Sequence, residues 1–433
     1  MIGNERKAAA KKSFSMATVL ATAKKLASKI TTLHLAVIFV IASIFLAYIC
    51  VAPPTDLPNW PLYRINTRIW QSLERFGKHV KPYHLRVLTS ASQHFESRVL
   101  FLITYMDVPD HLHNAGKPLS CEELKTLIDE GNVEPVNLPY LCRVLHAASH
   151  FDFLVEAEEH KYELSELGKY LVKSHPKSLN GYVQMIAGDE AFIIATALSR
   201  SIFTGNSGFK ETYREELLEH LKSDLSFQEI FDRGMADNAR LVAPAIIADY
   251  PSFGSCKHIC DIGGGVGSFL YSVLEYYVYG IKGTVFDLTD VIDGAKKFLE
   301  EKSVTHEKIS LHTGDFFKNI PEFGCDCYIL KDILNNWSDE ASNVILNNLF
   351  AAVARGNRVL IIERVLHTGG AAEETFKTQM DLTMMAFNPS HSRLRTEEEM
   401  YFLLEQSGFV EPQTYPTRAG YSIIESFPDK KQT

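Results

Sequence analysis

The sequence predicts an α/β protein whose doubly wound, mostly parallel sheet follows a mainly helical region and an apolar N-terminal segment. Three observations support this class. Strand-like and helix-like segments alternate from Lys257 onward, residues 84–250 show apolar residues at helical spacing, and a glycine-rich turn follows the first strand of the alternating part. The composition, with 46% hydrophobic and 22% charged residues, is that of a globular protein rather than a disordered one.

The N-terminal segment has two parts. Residues 1–32 are basic, and residues 33–52 form an uncharged, largely apolar run. A helix of about 20 residues spans the roughly 30 Å hydrocarbon core of a bilayer. We therefore expect a transmembrane anchor, a cytosolic N-terminus and a single-pass protein of the endomembrane system. The side on which the rest of the chain lies stays open, as does cleavage near Ala52, and residues 53–83 are expected to form a linker and lead-in helix.

The helical region, residues 84–250, contains one pattern of its own. A capping box with Ser120 and Glu123 starts a helix, a second helical stretch follows, and two short strand-like runs end the pattern as a hairpin. Helix, helix, hairpin is typical of a winged helix. The region has no basic recognition face, and the chain carries a net charge of −9, so we expect dimerisation rather than binding to nucleic acid.

The C-terminal region, residues 251–427, has the rhythm of a doubly wound sheet. Strands are predicted at 257–262, 281–287, 308–313, 325–331 and 358–364, and helices at 266–278, 290–302 and 338–354. Such sheets bind ligands at the carboxyl ends of their strands. We therefore expect the ligand contacts to come from the turns that follow these strands.

The turn after the first strand reads Asp261-Ile262-Gly263-Gly264-Gly265-Val266-Gly267. Glycines permit positive φ and let a ligand approach the backbone. No Gly-Lys-Ser/Thr follows, which disfavours a phosphate-binding loop. Asp261 and Asp287 end successive strands, where a carboxylate can accept hydrogen bonds from ribose hydroxyls. This pairing suits S-adenosylmethionine and also NAD, although NAD binding favours a glycine deeper in the helix, where the chain has Phe269 and Leu270.

Asp315 and Phe316 follow the strand predicted at 308–313. Asp315 can accept a hydrogen bond from an adenine amino group while Phe316 packs on the ring.

The seven cysteines are scattered and form neither a disulfide framework nor a zinc ribbon. We interpret those around the strands as small buried residues, and we predict no metal site; these are Cys256, Cys260, Cys325 and Cys327.

Several motifs, in order along the chain, resemble one enzyme family. They are the glycine turn, Val285-Phe286-Asp287-Leu288, Gly314-Asp315-Phe316-Phe317, the segment Leu330–Glu340, Arg358-Val359-Leu360-Ile361-Ile362-Glu363 and Arg395-Thr396-Glu397-Glu398-Glu399. Together they resemble the hydroxyindole/caffeate-type O-methyltransferases, which use S-adenosylmethionine and carry a winged-helix dimerisation domain before a Rossmann-like catalytic domain. The resemblance covers roughly residues 85–425 and leaves out the apolar segment.

The resemblance implies roles for individual residues. Gly263 and Gly265 would contact the methionine part of the cofactor, Asp287 the ribose, and Asp315 and Phe316 the adenine. Lys331 would lie against the cofactor as well. The acceptor pocket would be lined by Met380, Asp381, Met384 and Asn388. A homodimer is implied too.

Two departures from the family pattern concern proton transfer. Asn335 stands where the family has its general-base histidine, and a neutral amide cannot take a proton from a phenol. Leu394 stands where an acid usually precedes the Arg-Thr pair. Glu363, the acid that commonly orients the histidine, is present. The cofactor half of the pattern is therefore complete, whereas the deprotonation half is altered.

Four interpretations remain open. The first is a methyltransferase whose acceptor is a nitrogen, a sulfur or an acidic phenol, or in which His391 serves as the base. The second is a cofactor-binding pseudoenzyme that acts through its partner surfaces. The third is a fold redirected to other chemistry, with S-adenosylmethionine in a structural role. A NAD-linked oxidoreductase comes last.

Overall fold

The computed structural model describes residues 81–131, 134–158, 160–277, 280–302, 304, 308–368 and 371–429. The predicted basic segment and the predicted anchor at 33–52 lie outside these residues. The longest described helices, Tyr83–Tyr105 and Leu225–Asp249, both carry charged side chains at several positions. Within the described ranges, no helix combines the length and the apolar character that crossing a membrane requires. The prediction of a single-pass membrane protein is corrected accordingly.

The first part of the described chain is a helical unit with a small sheet. Its elements are α1 (Tyr83–Tyr105), α2 (Val108–Ala115), β1 (Leu119–Ser120), α3 (Cys121–Gly131), α4 (Leu138–His150), β2 (Leu154–Glu158) and β3 (Lys161–Leu164). The strands pair antiparallel in the order β1-β3-β2. The predicted capping box is present, since the Ser120 backbone N–H donates to Glu123 Oε2 at 2.8 Å and the Glu123 N–H donates to Ser120 Oγ at 3.3 Å. The structure thus shows the predicted sequence of helix, helix and hairpin.

Six further helices lead from this unit to the large sheet. They are α5 (Asn180–Ala187), α6 (Asp189–Thr196), α7 (Leu198–Thr204), α8 (Gly208–Tyr213), α9 (Leu217–Ser223) and α10 (Leu225–Asp249). Asp237 of α10 accepts hydrogen bonds from the first backbone N–H groups of α5. The C-terminal end of α10 buries Val242 and Ile246 in the same apolar cluster as Phe269 from the large-sheet region. The helix therefore packs on both α5 and the sheet.

The large sheet has seven strands and is mixed. Its strands are β4 (His258–Ile262), β5 (Lys282–Asp287), β6 (Ile309–Thr313), β7 (Cys327–Lys331), β8 (Arg358–Glu363), β11 (Phe409–Pro416) and β12 (Ser422–Pro428), in the order β11-β12-β8-β7-β4-β5-β6. The five predicted strands are confirmed within two residues and are parallel. The antiparallel β11 and β12 complete the sheet beside β8. The strand order reverses at β4, so the glycine turn lies at the switch point where such sheets bind ligands.

The remaining elements cover the sheet and its carboxyl edge. They are α11 (Ser268–Tyr276), α12 (Thr289–Glu301), α13 (Asp339–Ala352), α14 (Ala371–Phe387), α15 (Glu397–Gln406) and the short parallel pair β9 (Val365–Leu366) and β10 (Arg395–Thr396). The pair of β9 with β10 links the end of β8 to the start of α15. That link brings two distant parts of the chain to the same edge of the sheet.

The cysteines only partly match their interpretation as small buried residues. Cys256 and Cys327 are buried free thiols. Cys260 is paired with Cys325 as a disulfide, and a second disulfide joins Cys121 to Cys142 in the helical unit. The interpretation of Cys260 and Cys325 as small buried residues is therefore incomplete. Strands β4 and β7 are neighbours, which brings Cys260 close to Cys325, just before β7.

Candidate active site

The glycine turn has the backbone geometry that its sequence predicts. Gly263, Gly265 and Gly267 all have positive φ, at 70°, 60° and 79°. A Cβ atom on Gly263 would lie only 2.5 Å from Ile333 Cδ1, and the positive φ at this position also disfavours residues with a side chain. A Cβ on Gly265 would meet no atom within 4 Å. The backbone at Gly265 therefore faces open space, in which a ligand can approach it.

Two carboxylates flank this turn. Asp287 accepts hydrogen bonds from the backbone N–H groups of Gly265 at 2.8 Å and Leu288 at 2.7 Å, which fixes its orientation. Burial raises the pKa of Asp287. Burial also raises the pKa of Asp261 to about 7, against the opposing charge of Lys331. The Asp261 carboxylate accepts no hydrogen bond from any described residue.

Aromatic side chains close the other side of the turn. The Phe316 ring lies near Gly263, where its Cε1 atom would be 3.3 Å from an added Cβ. Asn348 donates to the Phe316 carbonyl at 2.8 Å and holds its backbone. The neighbouring Asp315 accepts from the Phe317 N–H at 2.9 Å and lies 3.3 Å from Lys318 Nζ. Open backbone, an oriented carboxylate and a ring beside the turn together fit an adenosine-bearing ligand such as S-adenosylmethionine.

A buried polar network lies at the ends of β7 and β8. Lys331 Nζ donates to Asp332 Oδ2, which also accepts from the Tyr421 hydroxyl at 3.1 Å. Burial by itself would lower the pKa of Lys331, but the charge of Asp332 raises it above its usual value. Asp332 has a positive φ of 54°, which is strained for a residue with a Cβ, and its Oδ1 atom is buried without a partner. Arg364 reaches the same network through Tyr421.

Asn335 and Glu363 meet at the predicted general-base position. The Asn335 backbone N–H donates to Glu363 Oε1 at 3.1 Å. Both side chains are buried, and Asn335 Oδ1 and Glu363 Oε2 have no hydrogen-bond partner. Burial and the nearby charge of Asp332 raise the pKa of Glu363 to about 7, although Arg395 opposes the shift. Glu363 therefore changes its charge near neutral pH.

A fully buried arginine holds the loop that carries Asn335. Arg395 donates to the carbonyls of Leu334 at 2.6 Å and Trp337 at 2.8 Å. It also donates to Asp339 Oδ1 at 2.9 Å and Ser342 Oγ at 3.2 Å. These bonds bracket Asn335 from both sides and fix its backbone.

The four predicted acceptor-pocket residues lie on or just after α14, and they divide into two groups. Met380 and Met384 are half-buried and buried, respectively, one helical turn apart. Asp381 accepts from the Leu394 N–H at 2.7 Å, so it supports the loop at the position of the missing acid. Asn388 donates to Asn336 Oδ1 and thereby touches the Asn335 loop.

His391 occupies a different environment from Asn335. It is exposed and has a positive φ of 78°. It lines a cavity of about 180 Å³ together with Ser207 and Met385. No hydrogen bond or ion pair of the described residues joins His391 to Asn335 or Glu363.

One group of described residues has donor atoms spaced for a metal ion. His258, Cys260 and Cys325 offer ligand atoms within 4.8 Å of one another. The Cys260–Cys325 disulfide engages both sulfurs, however, and His258 Nε2 lies 2.8 Å from Thr284 Oγ1. A disulfide sulfur lacks the thiolate charge that binds metals, so this donor set does not fit an ion in this state.

Sequence reasoning missed the roles of Arg364, Tyr421 and Arg395. Arg364 and Tyr421 are separated by 57 residues and are brought together by the antiparallel pairing of β12 with β8. The sequence identifies Arg395 as part of a family motif but does not indicate that it binds the loop around Asn335. For Arg364 the sequence does contain a signal, since an arginine directly after a buried strand is unusual for a core position.

Known proteins match this chain over both of its regions. A family model of the O-methyltransferase domain matches residues 196–410, and a model of the O-methyltransferase dimerisation domain matches residues 88–174. The chain is 29% identical to the 8-amino-8-demethylriboflavin N,N-dimethyltransferase of Streptomyces davaonensis, over 76% of this chain and 90% of that protein. It is 27% identical to tabersonine 16-O-methyltransferase of Catharanthus roseus, over 75% of this chain and 91% of that protein.

Solved structures agree with this result. The crystal structure of LaPhzM matches with a TM-score of 0.72 and 26% identity, over 80% of this chain and 100% of that one. Human N-acetylserotonin methyltransferase in complex with S-adenosylmethionine matches with a TM-score of 0.71 and 23% identity, over 81% of this chain and 99% of that one. At that identity the second match shows the fold alone.

Proposed function

Because the chain belongs to the S-adenosylmethionine-dependent O-methyltransferases of the hydroxyindole/caffeate type, we propose that it transfers a methyl group to a small aromatic acceptor. The observation that carries this proposal is the turn at Gly265, whose open backbone lies between the oriented carboxylate of Asp287 and the ring of Phe316. When bound there, S-adenosylmethionine supplies a methyl group activated by its sulfonium. Lys331 and Asp315 extend the same surface.

We assign the domains in line with the sequence. Residues 84–250 form a dimerisation domain through which two copies associate, and residues 251–427 form the methyltransferase domain. The dimerisation-domain match at residues 88–174 supports the first assignment, whereas the O-methyltransferase-domain match begins earlier than the second, at residue 196. The acceptor pocket then lies beside α14, with Met380, Met384 and Asn388 contributing to its lining.

Proton balance is the chemical question at this site. Methyl transfer forms a bond between the acceptor heteroatom and the methyl carbon while the bond from sulfur to carbon breaks, and the acceptor loses a proton. Asn335 cannot take that proton. We infer that Glu363 accepts it, because its Oε2 atom has no partner and its pKa of about 7 suits a base at neutral pH.

Acceptors that need little help from a base fit this site best. A neutral amine attacks through its lone pair and loses its proton afterwards, and an acidic phenol is already partly ionised. The relative from Streptomyces davaonensis, an N,N-dimethyltransferase, supports an amine acceptor. Alignment of the nucleophile with the methyl carbon supplies much of the rate in either case.

A catalytically inactive cofactor-binding protein is the second candidate, and the loss of histidine at Asn335 favours it. A fold redirected to other chemistry is weaker, since it rests on the same loss alone. The methyltransferase and the inactive protein would both bind S-adenosylmethionine, but only the methyltransferase would transfer the methyl group.

The test has two stages. Calorimetric titration of S-adenosylmethionine into the full-length protein, with Asp287→Ala as control, establishes the cofactor site if the control loses binding. Transfer of a labelled methyl group to phenols, amines and thiols then separates the candidates. Binding without transfer to any class supports the inactive protein, and no binding by a folded protein removes both.

A further inference from the structure

Arg364, directly after β8, is a buried guanidinium with an incomplete set of partners. The residue is 7% exposed. Its Nη1 donates to the Tyr421 hydroxyl at 2.8 Å and its Nη2 to Asn238 Oδ1 at 3.4 Å, whereas Nε has no partner. The guanidinium carbon lies 4.2 Å from the Tyr421 ring centroid and 5.6 Å from that of Phe376. These contacts orient the group but leave its Nε–H without a partner.

No acid of the described residues forms an ion pair with Arg364. Asp332 acts electrostatically on Arg364, but its carboxylate is already engaged by Lys331 and by the Tyr421 hydroxyl. Arginine does not lose its proton in proteins, and a buried unpaired charge is costly.

Within the hydrogen-bonded network, the two cations Lys331 and Arg364 face one acid, Asp332. The nearby buried acids Asp261 and Glu363 have pKa values raised to about 7, so they balance this charge only in part at neutral pH. An anion from outside the chain would complete the network.

The surroundings of Arg364 place this missing anion on the acceptor side. Asn238 comes from α10, Phe376 from α14, and the Tyr182 hydroxyl of α5 acts electrostatically on the guanidinium. Glu363, the inferred proton acceptor, is the preceding residue. Two of these elements, α5 and α10, belong to the helical region, and α14 carries the residues proposed to line the acceptor pocket.

We propose that Arg364 binds a carboxylate carried by the methyl acceptor, so that the protein prefers aromatic acids over their neutral analogues. The free Nε donor and the planar guanidinium suit a carboxylate, which accepts two parallel hydrogen bonds. The inference rests on the proposed function, because it assigns the substrate class of the same site.

The methionine carboxylate of S-adenosylmethionine has the same chemistry and is the other source to test. Lys331 is better placed for it, since Lys331 acts on Asp261 in the glycine turn and lies 5.8 Å from the Phe269 ring of α11. None of the contacts recorded for Arg364 involves a residue of the turn. The geometry therefore favours the acceptor.

The experiment compares acids with their primary amides. Full-length protein saturated with S-adenosylhomocysteine is titrated calorimetrically with 3-hydroxy-2-naphthoic acid, salicylic acid and 4-hydroxycinnamic acid, and with the amide of each. We expect at least one acid to bind about tenfold more tightly than its amide, as a charge-assisted hydrogen bond should provide. Arg364→Met should abolish the preference, and Arg364→Lys should keep part of it.

Two controls keep the result interpretable. Arg240→Met removes an arginine that is already paired with Asp237 and should leave the preference intact. Thermal unfolding of each variant shows whether it folds, and Arg364→Lys carries the test if Arg364→Met does not fold. Titration of S-adenosylmethionine into wild type tests the proposed function separately.

Three outcomes overturn the proposal. Equal binding of every acid and its amide by wild type would do so, and so would a preference that survives in a folded Arg364→Met variant. The third is a loss of S-adenosylmethionine affinity in the Arg364 variants with the acid preference unchanged, which would assign the anion to the cofactor.

Discussion

The two sides of the sheet edge differ in how closely they keep the family pattern. On the β4–β5 side, the glycine turn, Asp287 and Phe316 adopt the arrangement that the motifs predict. On the β7–β8 side, Asn335 occupies the position where the family resemblance predicts a histidine, and the neighbouring side chains of Asp332 and Glu363 each have an atom without a hydrogen-bond partner.

In the proposed mechanism, cofactor binding and deprotonation of the acceptor depend on different parts of the site. The binding side depends on backbone geometry, which glycines fix locally. The deprotonation side depends on side chains from distant segments, so one substitution changes its chemistry without disturbing the turn. Retained cofactor geometry therefore does not by itself establish how the acceptor loses its proton.

The largest effect is expected for Glu363→Gln on the turnover of phenolic acceptors. Loss of a general base lowers the rate by about 10²–10⁴-fold. In wild type the rate should rise with pH through about 7, as Glu363 ionises, and the variant should lose this inflection. Asp261 also has a pKa of about 7, so Asp261→Asn at saturating cofactor is the control. If that control removes the inflection and Glu363→Gln keeps it, Glu363 is not the base.

The same substitution should change the pH dependence of stability. The pKa of Glu363 rises from 4.5 to about 7 on folding, so its protonated form favours the folded state at low pH. This contribution is complete below pH 4.5 and is lost as pH rises through 7. At pH 8, Glu363→Gln should therefore raise the free energy of unfolding by about 3 kcal/mol relative to its effect at pH 4.5. Urea unfolding at both values measures it, and the exposed Glu398→Gln should show no such difference.

A smaller effect is expected on the cofactor side. Asp287→Asn removes the charge that would receive the ribose hydroxyls and should weaken S-adenosylmethionine binding by about 10–100-fold. Calorimetry on the matched variant Asp290→Asn, an exposed acid in the first turn of α12, should show wild-type affinity. Equal affinities of both variants would contradict the placement of the ribose at Asp287.

The smallest effect is expected at position 335, where a substitution tests whether this one side chain limits deprotonation of the acceptor. Asn335→His places an imidazole beside Glu363 and should increase the turnover of phenols by about tenfold or more, while amine turnover changes little. Asn347→His, at an exposed position of α13, is the matched control. An unchanged rate with phenols would show that more than the missing histidine distinguishes this pocket from that of the family.

Local patterns carried the predictions that succeeded. The strands β4 to β8, the capping box at Ser120 and the glycine turn each depend on residues close together in sequence. The Arg364–Tyr421 contact could not be predicted, because it depends on the antiparallel pairing of Ser422 with Glu363. The disulfide of Cys260 with Cys325 was missed for a similar reason, since it joins neighbouring strands that are 65 residues apart.

The properties of the predicted catalytic residues depend on surroundings that a motif does not contain. The residue type makes His391 a candidate base. In the structure it has a positive φ and lines the cavity beside Ser207, and it forms no hydrogen bond with Asn335. Glu363 could be named as an acid from the motif, whereas its shifted pKa arises from burial and from the charge of Asp332. Neither burial nor the neighbour can be read from the motif.

The hydrogen bonds of Arg395 have an evolutionary consequence. They clamp the carbonyls of Leu334 and Trp337, so the backbone at position 335 keeps its place whichever side chain it bears. Asparagine and histidine codons differ by a single nucleotide. A lineage carrying this gene can therefore pass between the two residues in one mutational step, without any intermediate that must refold the loop.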